Sequence, residues 1–341
     1  MKISFIGYSL EKASGVTTFV ERTARELRLL GHVVDVVDAL TMKKGAVDLA
    51  RCDIVHLHCL WQLHAYAKAA FSANVPLVWS THGMTAPWSM RHKWLKKVVA
   101  WRLFQKRDLK HASVIHCTTS QEIEWNRRFG LENCFLAPLG TDVPDRLAPS
   151  DTSLSPTGVH TLLFVGRIYP VKGLENLIRA WKIALDAGME GWRLRIVGPD
   201  EAGHLARLRA LTALFELEES VQFPGPAYGD SLEKEYFSCD CLVLPSFTEN
   251  FGATVVDALA HGKPAIASKF TPWKELDECK CGWWVSNKPD ELATAIRAMA
   301  ALAPEERAAM GEKGRAIAAA KYSWQAVAAA LERKYKEIAR R

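Results

Sequence analysis

The chain has 341 residues, of which 49% are hydrophobic and 24% are charged, and its formal net charge is +6. This length suits two domains of ordinary size, and the apolar fraction excludes a disordered chain. No window approaches the ~20 consecutive apolar residues of a membrane-spanning helix. The apolar run at the N-terminus is too short for a secretion signal, so we expect a cytoplasmic protein.

The eight cysteines are expected to be reduced thiols, because nothing in the sequence directs the chain to an oxidising compartment. Two pairs have C-x-C spacing, Cys239 with Cys241 and Cys279 with Cys281. Zinc ribbons prefer two intervening residues, and the first pair flanks an apolar run. The pattern therefore favours buried strand residues over a metal site.

The first half of the chain alternates short β-branched runs with longer segments rich in Ala, Leu and charged residues. A helix is expected from about Thr17 to Leu30, with Gly31 closing it. This alternation is typical of βαβ units, which build a parallel sheet covered by helices on both faces. The expected strands are KISFIGY, HVVDVVDA, DIVHLHC, PLVWSTHG and SVIHCTT.

Residues 143–160 interrupt this pattern. The segment is rich in Pro, Ser, Thr and Asp and lacks periodicity, which predicts a linker and a domain boundary near residue 152. The alternation then restarts, with expected strands TLLFVGR, RLRIVGP, VQFPG, CLVLPS, PAIAS and GWWV. Helices are expected from Gly173 to Ala187, from about Ala202 to Phe215, and from Ala253 to His261.

The simplest architecture for this α/β chain is two Rossmann-like, doubly wound parallel-sheet domains, residues 1–152 and 153–322, facing across a cleft. Ligands bind such sheets at the carboxyl ends of strands, so the cleft is where chemistry is expected. A final basic amphipathic helix, residues 323–341, has no strand after it. We expect it to pack back on the first domain.

Glu249 and the helix that follows it form the first candidate binding feature. Glu249 comes four residues after an expected strand, and Phe251 and Gly252 lead straight into the helix. A glycine lets a ligand approach the backbone, and the free N–H groups of a helix start favour an anion. A phosphate bound by Gly252, Ala253 and Thr254, beside hydroxyls bound by Glu249, would match a nucleotide sugar.

Two cations and a second acid extend this feature. In VGRIYPVKG, Arg167 and Lys172 lie on the loop after the first strand of the second half, where they can converge on a diphosphate. Seven residues separate Glu249 from Asp257, which therefore lies about one turn down the helix. Asp257 could accept hydrogen bonds from ribose hydroxyls, although alone it is better explained as a solvated acidic residue.

In these motifs the chain resembles retaining glycosyltransferase family 4, glycosyl transferases group 1, whose fold is GT-B. Relatives usually carry Glu where this chain has Asp257, which is one methylene shorter. The resemblance covers essentially the whole chain, in the family's order, through GYSLEKASGVTTFVERTARELRLLGHVVDVV, STHG, LAPLGTD, FVGRIYPVKGLENLIRAW and PSFTENFGATVVDALAHGKP.

The resemblance implies a transferase that moves a hexose from a UDP- or GDP-sugar to a hydroxyl of a glycan or lipid-linked acceptor. Lipopolysaccharide, O-antigen or exopolysaccharide synthesis would be its setting. By the same resemblance, Arg167 and Lys172 would hold the donor diphosphate and Glu249 would orient the sugar. Gly15 would approach the phosphates, and His82 would lie near the reacting sugar. No metal and no other cofactor is implied.

Several residues have a plain structural explanation as well. His82 could simply cap the end of its strand, and His56 and His58 alternate on a strand where core roles are favoured.

Two other functions fit the fold: a nucleotide-sugar epimerase, and a catalytically silent nucleotide-binding partner of another transferase. The Arg, Lys and Glu set argues against both.

Residues 91–110 combine eight Lys and Arg and a single acidic residue with Trp and aliphatic residues at near-helical spacing. Such a helix can bind an anionic membrane surface, although its apolar stripe could equally be core. We therefore expect a cytoplasmic enzyme that either stays in solution or associates with the inner face of the membrane. The basic stretch carries no nucleic-acid-binding motif, so a nucleic-acid partner is not expected.

Overall fold

The computed structural model describes residues 1–10, 14–41, 48–91, 93–145 and 158–340. Within these ranges the chain divides into two compact units. The first comprises Met1–Gly140 together with Tyr322–Arg341, and the second comprises Thr141–Lys321. The expected boundary near residue 152 lies outside the described residues.

The first unit is built on a sheet of six parallel strands in the order β2-β1-β3-β4-β5-β6. Five of them match the expected strands. The three-residue strand β6 was not expected, because its short apolar run is followed at once by Ala-Pro and carries no alternation. The strands are β1 (Lys2–Gly7), β2 (Val33–Asp38), β3 (Ile54–His58), β4 (Leu77–Ser80), β5 (Val114–Cys117) and β6 (Cys134–Leu136).

The second unit contains another parallel six-stranded sheet, in the order β12-β11-β10-β7-β8-β9. All six strands were expected from the sequence. They are β7 (His160–Val165), β8 (Trp192–Val197), β9 (Val221–Gly225), β10 (Cys241–Leu244), β11 (Ala265–Ser268) and β12 (Gly282–Val285). Both sheets are α/β in type, which confirms the expected fold class.

Helices connect the strands in both units. In the first unit they are α1 (Gly15–Leu29), α2 (His64–Ser72), α3 (Pro87–Arg91), α4 (Trp94–Ala100), α5 (Lys106–His111) and α6 (Ser120–Arg127). In the second they are α7 (Leu174–Asp186), α8 (His204–Leu214), α9 (Asp230–Ser238), α10 (Ala253–Ala260), α11 (Glu275–Glu278), α12 (Pro289–Ala300) and α13 (Pro304–Ile317). The last helix, α14 (Trp324–Ala339), belongs to the first unit.

Helix α1 shows how local sequence sets its bounds. The Ser14 hydroxyl accepts a hydrogen bond from the Thr17 amide, which satisfies one of the unpaired N–H groups of the first turn. At the other end Gly31 has φ 84°, and its amide donates to the Arg28 carbonyl. Gly31 thus closes the helix as expected, because glycine adopts this left-handed conformation without strain.

Helix α14 covers one face of the first sheet. Its apolar side chains Trp324, Leu331 and Tyr335 are buried in one core cluster with Ile3 and Phe5 from β1. Gly140 permits this packing, because a Cβ on that residue would lie 2.2 Å from the Trp324 ring. The C-terminal helix is thus an integral part of the first unit's core.

The helix expected across residues 91–110 is present from Trp94 onwards but is interrupted near its start, at Lys93. Helices α3, α4 and α5 occupy the region, with a π-helical turn at Trp101–Gln105. Lys93, just before α4, has φ 51°, and a residue in the left-handed region ends a right-handed helix. His92 lies outside the described residues.

Candidate functional site

The second sheet has its topological switch point between β7 and β10. From β7 the chain proceeds outwards to β8 and β9, and then returns to build β10, β11 and β12 on the other side. Loops at such a point diverge and leave a crevice at the carboxyl ends of the strands, where α/β proteins bind ligands. The loops after β7 and β10 carry Lys172 and Glu249, so both sequence-predicted residues lie at this point.

These two loops are held directly against each other. The Phe247 amide donates a hydrogen bond of 2.8 Å to the Val171 carbonyl. Gly173 has φ 70°, and a Cβ on it would lie 2.2 Å from the carbonyl oxygen of Pro245. Only glycine permits this approach, so the sequence of the first loop fixes its distance from the second.

Lys172 and Glu249 form an ion pair where the loops meet. The Lys172 Nζ lies 2.5 Å from Oε1 of Glu249, and the two side chains are only 16% and 14% exposed. Ser246 donates a hydrogen bond of 2.7 Å to the same oxygen. A cation and a carboxylate are therefore held at one spot, largely out of water, where Coulomb interactions are stronger than at an open surface.

Helix α10 begins beside this pair, at Ala253 as expected. Gly252 precedes it with φ 80°, and no side chain caps the helix start. A Cβ on Gly252 would lie 2.8 Å from a Leu244 methyl carbon, so the position requires glycine sterically as well. Phe251 is buried, and its carbonyl accepts a 2.6 Å hydrogen bond from the Trp273 indole.

The uncapped start of α10 can therefore bind an anion. The amides of Ala253 and Thr254 are among the first four of the helix, which have no partner within it. Ala253 is exposed and Thr254 is partly exposed. The backbone is thus accessible to a ligand at the position that the sequence predicted.

Arg167 is placed differently from Lys172. Its guanidinium donates hydrogen bonds of 2.8 and 3.1 Å to the carboxylate of Glu201, on the loop after β8, and both side chains are well exposed. Each of the two cations thus has its own acidic partner. Convergence of both on one diphosphate stays a prediction.

Asp257 lies on α10, partly buried. It accepts a 2.7 Å hydrogen bond from the Thr141 hydroxyl. Burial raises the pKa of Asp257 to about 6, against the opposing effects of Thr141 and His261. Burial and the Asp257 charge in turn raise the pKa of Tyr236 well above its ordinary value. A contact of Asp257 with ribose remains a prediction.

The first sheet has its own switch point, between β1 and β3. Gly15, the first residue of α1, follows the loop after β1, and a Cβ there would meet no atom within 4 Å, so the backbone is open. Ser9, Cys59 and His82 follow the carboxyl ends of β1, β3 and β4, and all three have φ between 46° and 76°. Left-handed conformations of non-glycine residues are strained and cluster at functional sites.

His82 is in contact with a second histidine. Its Nε2 lies 3.1 Å from Nδ1 of His58, the fully buried last residue of β3, and the rings are stacked 5.4 Å apart. Burial, with a contribution from His116, lowers the pKa of His82 to about 3. Burial and neighbouring imidazoles also lower the pKa of His58 well below its ordinary value. Both rings are therefore neutral at physiological pH.

The backbone around His82 is held by Glu122, a residue that sequence reasoning missed. Its buried carboxylate accepts hydrogen bonds from the Thr81 hydroxyl at 2.6 Å and the Gly83 amide at 2.5 Å. It also accepts two from Thr118. Glu201 and Ser246 were missed as well. Each follows a strand, but nothing in the sequence indicates which neighbour it contacts.

Other expectations can be compared directly with the structure. All eight cysteines are free, as expected. In the described part of the chain, no three His, Cys, Asp or Glu side chains are grouped to hold a metal ion. No helix there has both the length and the apolarity needed to cross a bilayer.

Comparison with known families supplies the deciding observation. The model described as Glycosyl transferases group 1 matches residues 149–317, and that of the Glycosyl transferase 4-like domain matches residues 38–140. The chain belongs to the group 1 glycosyl transferases. This confirms that the protein is a glycosyltransferase, and its fold is GT-B.

Individual relatives agree with this assignment. The glycosyltransferase is 25% identical to the D-inositol 3-phosphate glycosyltransferase of Corynebacterium jeikeium, over 96% of this chain and 92% of that one. Solved structures also share its fold, among them the following two. HepE of Anabaena, in complex with UDP, has a TM-score of 0.79 at 20% identity and covers 99% of this chain and 100% of its own. Sucrose-phosphate synthase of Thermosynechococcus elongatus has a TM-score of 0.77 at 19% identity, with 99% and 98% covered.

Proposed function

We propose that this glycosyltransferase moves a hexose, with retention of anomeric configuration, from a UDP- or GDP-sugar to a hydroxyl of a glycan or lipid-linked acceptor. Synthesis of lipopolysaccharide, O-antigen or exopolysaccharide is the proposed setting. The observation that carries the proposal is the shielded ion pair of Lys172 and Glu249, beside the uncapped start of α10.

The ion pair supplies the two contacts that a nucleotide sugar needs. A diphosphate offers negative oxygens to the ammonium of Lys172, and a sugar offers hydroxyl donors to the carboxylate of Glu249. Without a donor the two groups neutralise each other. When the donor binds, each exchanges its partner for one on the ligand, so neither charge is left buried and unpaired.

The same groups account for catalysis. As the glycosidic bond breaks, negative charge builds on the departing diphosphate. Lys172 and the amides of Gly252, Ala253 and Thr254 would stabilise that charge, and Arg167 would join them after exchanging Glu201 for phosphate. These groups provide the positive charge that other enzymes take from a metal ion, so no metal is required by the proposal.

Retention is proposed without a covalent intermediate. The acceptor hydroxyl would attack on the face that the diphosphate leaves, and the departing phosphate oxygen would take its proton. Glu249 is bound to Lys172 and Ser246. These partners suit the role of orienting hydroxyls better than they suit the role of a nucleophile. His82 in the first unit would contact the sugar as a neutral group, and Gly15 would approach the phosphates.

The UDP complex of HepE, which shares this fold, supports a uridine donor among the two proposed. A thermal-shift screen of UDP- and GDP-sugars would identify the donor, because a ligand that binds only the folded state raises its stability. The reaction would then be run with candidate acceptors and chelator, and the anomeric proton of the product read by NMR. Retained configuration is expected. An epimerised sugar formed from donor alone would instead show the epimerase.

We further propose that the protein associates with the inner face of the cytoplasmic membrane through residues 91–110. Two apolar side chains of this region, Trp101 and Leu109, are buried in the core of the first unit. Four others are exposed, next to exposed Lys93, Lys96, Arg102 and Lys106. Their exposed fractions are 57% for Trp94, 62% for Leu95, 56% for Val99 and 69% for Leu103.

This composition suits an anionic lipid surface. The apolar side chains can enter the interface, and each nearby cation adds about 1 kcal/mol of attraction to acidic headgroups. Vesicle sedimentation would test the proposal, with phosphatidylglycerol vesicles expected to bind the protein at low salt. Leu95→Gln with Leu103→Gln should weaken binding at least about tenfold, whereas Leu214→Gln, which changes a leucine that is 74% exposed in the second unit, should not. Failure of the wild type to bind at low salt would refute it.

A further inference from the structure

His58 is a buried histidine for which the proposed reaction has no use. It is the last residue of β3 and therefore lies at the switch point of the first sheet. Its Nδ1 is 3.1 Å from Nε2 of His82, whereas its Nε2 is buried and has no hydrogen-bond partner among the described residues. An unpartnered buried polar atom calls for an explanation.

The unpartnered nitrogen decides which way the hydrogen bond runs. If His82 donated from Nε2, then Nδ1 of His58 would accept and Nε2 of His58 would carry a buried N–H without a partner. If His58 donates from Nδ1, its Nε2 carries only a lone pair. Buried N–H groups without partners are rarer than under-satisfied acceptors, so the second arrangement is favoured.

The charge state of the pair leaves no third arrangement. A protonated ring could donate from both nitrogens, but burial lowers the pKa of both histidines far below neutrality. The adjacent His56 and His116 are also neutral, since burial lowers the pKa of each. Each ring of the pair therefore carries a single proton, and the position of one fixes the position of the other.

We infer that His58 is a positioning residue that holds His82 in the tautomer with its proton on Nδ1. Nδ1 of His82 has no hydrogen-bond partner within the described residues, and the side chain is partly exposed at the carboxyl edge of the sheet. In this tautomer His82 presents an N–H donor outwards. On the proposed function, that donor meets a hydroxyl or ring oxygen of the sugar as an uncharged group.

Two other features hold the ring in this orientation. His82 has φ 46°, and the carboxylate of Glu122 binds the residues on either side of it, Thr81 and Gly83. The backbone is thus fixed by Glu122 and the ring by His58. Phe19 packs against His82 with ring centroids 5.6 Å apart, which further limits rotation.

The direct test is ¹⁵N NMR of the histidine rings in the full-length protein at neutral pH, with His82→Gln used to assign the His82 signals. The inference predicts a pyrrole-type Nδ1 and a pyridine-type Nε2 for His82. The opposite pattern would overturn it. This measurement needs no substrate, so its result does not depend on the proposed function.

Two substitutions separate positioning from packing. In His58→Asn the amide nitrogen occupies the place of Nδ1, so the donor is kept, the His82 tautomer should persist and most of the activity should remain. His58→Leu removes the donor, and we expect a mixture of His82 tautomers and kcat lowered about 10- to 100-fold, by analogy with the loss of partners that orient metal-bound histidines. Equal loss in both variants would contradict the inference.

His56→Leu is the matched control. His56 is fully buried on the same strand, and its ring nitrogens bind Tyr335 and Ser80 instead of His82. Its replacement should lower the melting temperature while leaving the His82 tautomer unchanged. If His82→Ala transfers sugar as fast as the wild type, the proposed role of His82 fails, whereas the tautomer measurement still decides the role of His58.

Discussion

At the carboxyl edge of the second sheet the side chains of the site are ions in pairs, Lys172 with Glu249 and Arg167 with Glu201. At the same edge of the first sheet they are imidazoles, and burial lowers the pKa of His58 and of His82. Both sheets are parallel and each has a switch point at this edge, so the sheet type alone does not dictate this difference. Charges lie where the diphosphate is proposed to bind, and neutral imidazoles lie where His82 is proposed to contact the sugar.

The largest effect should come from removing a charge at the second sheet. Lys172→Ala and Glu249→Ala should each lower kcat at least about 10²- to 10³-fold, because Lys172 is preorganised for charge that develops on the diphosphate and Glu249 orients the sugar. Steady-state kinetics of transfer would measure the loss. Lys274→Ala is the control, since it breaks an exposed pair with Glu278 on the same unit and should leave kcat within about twofold. Wild-type turnover in either site variant would refute the site.

A smaller effect should follow from pushing apart the two loops that create the charged edge. In Gly173→Ala, the alanine would have to adopt a left-handed conformation and its Cβ would lie 2.2 Å from a backbone oxygen. The substitution should therefore lower the free energy of unfolding by about 2–5 kcal/mol. Gly188→Ala is its control: φ is 87° there, but no atom lies within 4 Å, so only about 1 kcal/mol of backbone strain is expected. Urea denaturation of both would measure the difference. Equal costs would show that the loops are not in close contact.

The smallest effect concerns Asp257, whose pKa is raised to about 6 by burial. Since the unfolded carboxyl titrates near about 3.9, the folded state binds the extra proton between about pH 4 and pH 6, and stability falls as pH rises through that window. Asp257→Asn should therefore be more stable than the wild type by about 1–2 kcal/mol at pH 7.5, and equally stable near pH 4. Denaturation at both pH values tests this. If the wild type were more stable than Asp257→Asn at pH 7.5, the predicted direction of the stability difference would be contradicted.

The sequence alone predicted most of the fold, because the spacing of apolar residues indicates helices and strands, and glycine residues mark where some of them begin or end. Eleven of the twelve strands in the described ranges were expected, and the start of α10 after Gly252 and the end of α1 at Gly31 follow from glycine chemistry. The break at Lys93 was missed, since no Pro or Gly marks it and a left-handed lysine leaves no signal in the sequence.

The site was predicted less completely, for a physical reason. Glu249 and Lys172 were found because they follow strands, and the carboxyl ends of parallel strands meet at one edge. The pairing of Arg167 with Glu201 and the support of His82 by Glu122 depend on which loops touch. Those contacts join residues up to 41 positions apart, which no local pattern specifies.

Hydrogen exchange with the identified donor tests the central claim most directly. Donor binding at the switch point of the second sheet predicts slowed exchange in residues 166–173 and 246–256. No change is expected around a surface cavity of about 570 Å³ on the same unit, whose lining includes Met189, Trp192 and Arg297. Glu249→Ala should lose that protection. Protection confined to the cavity, or persisting in Glu249→Ala, would contradict the proposed donor site.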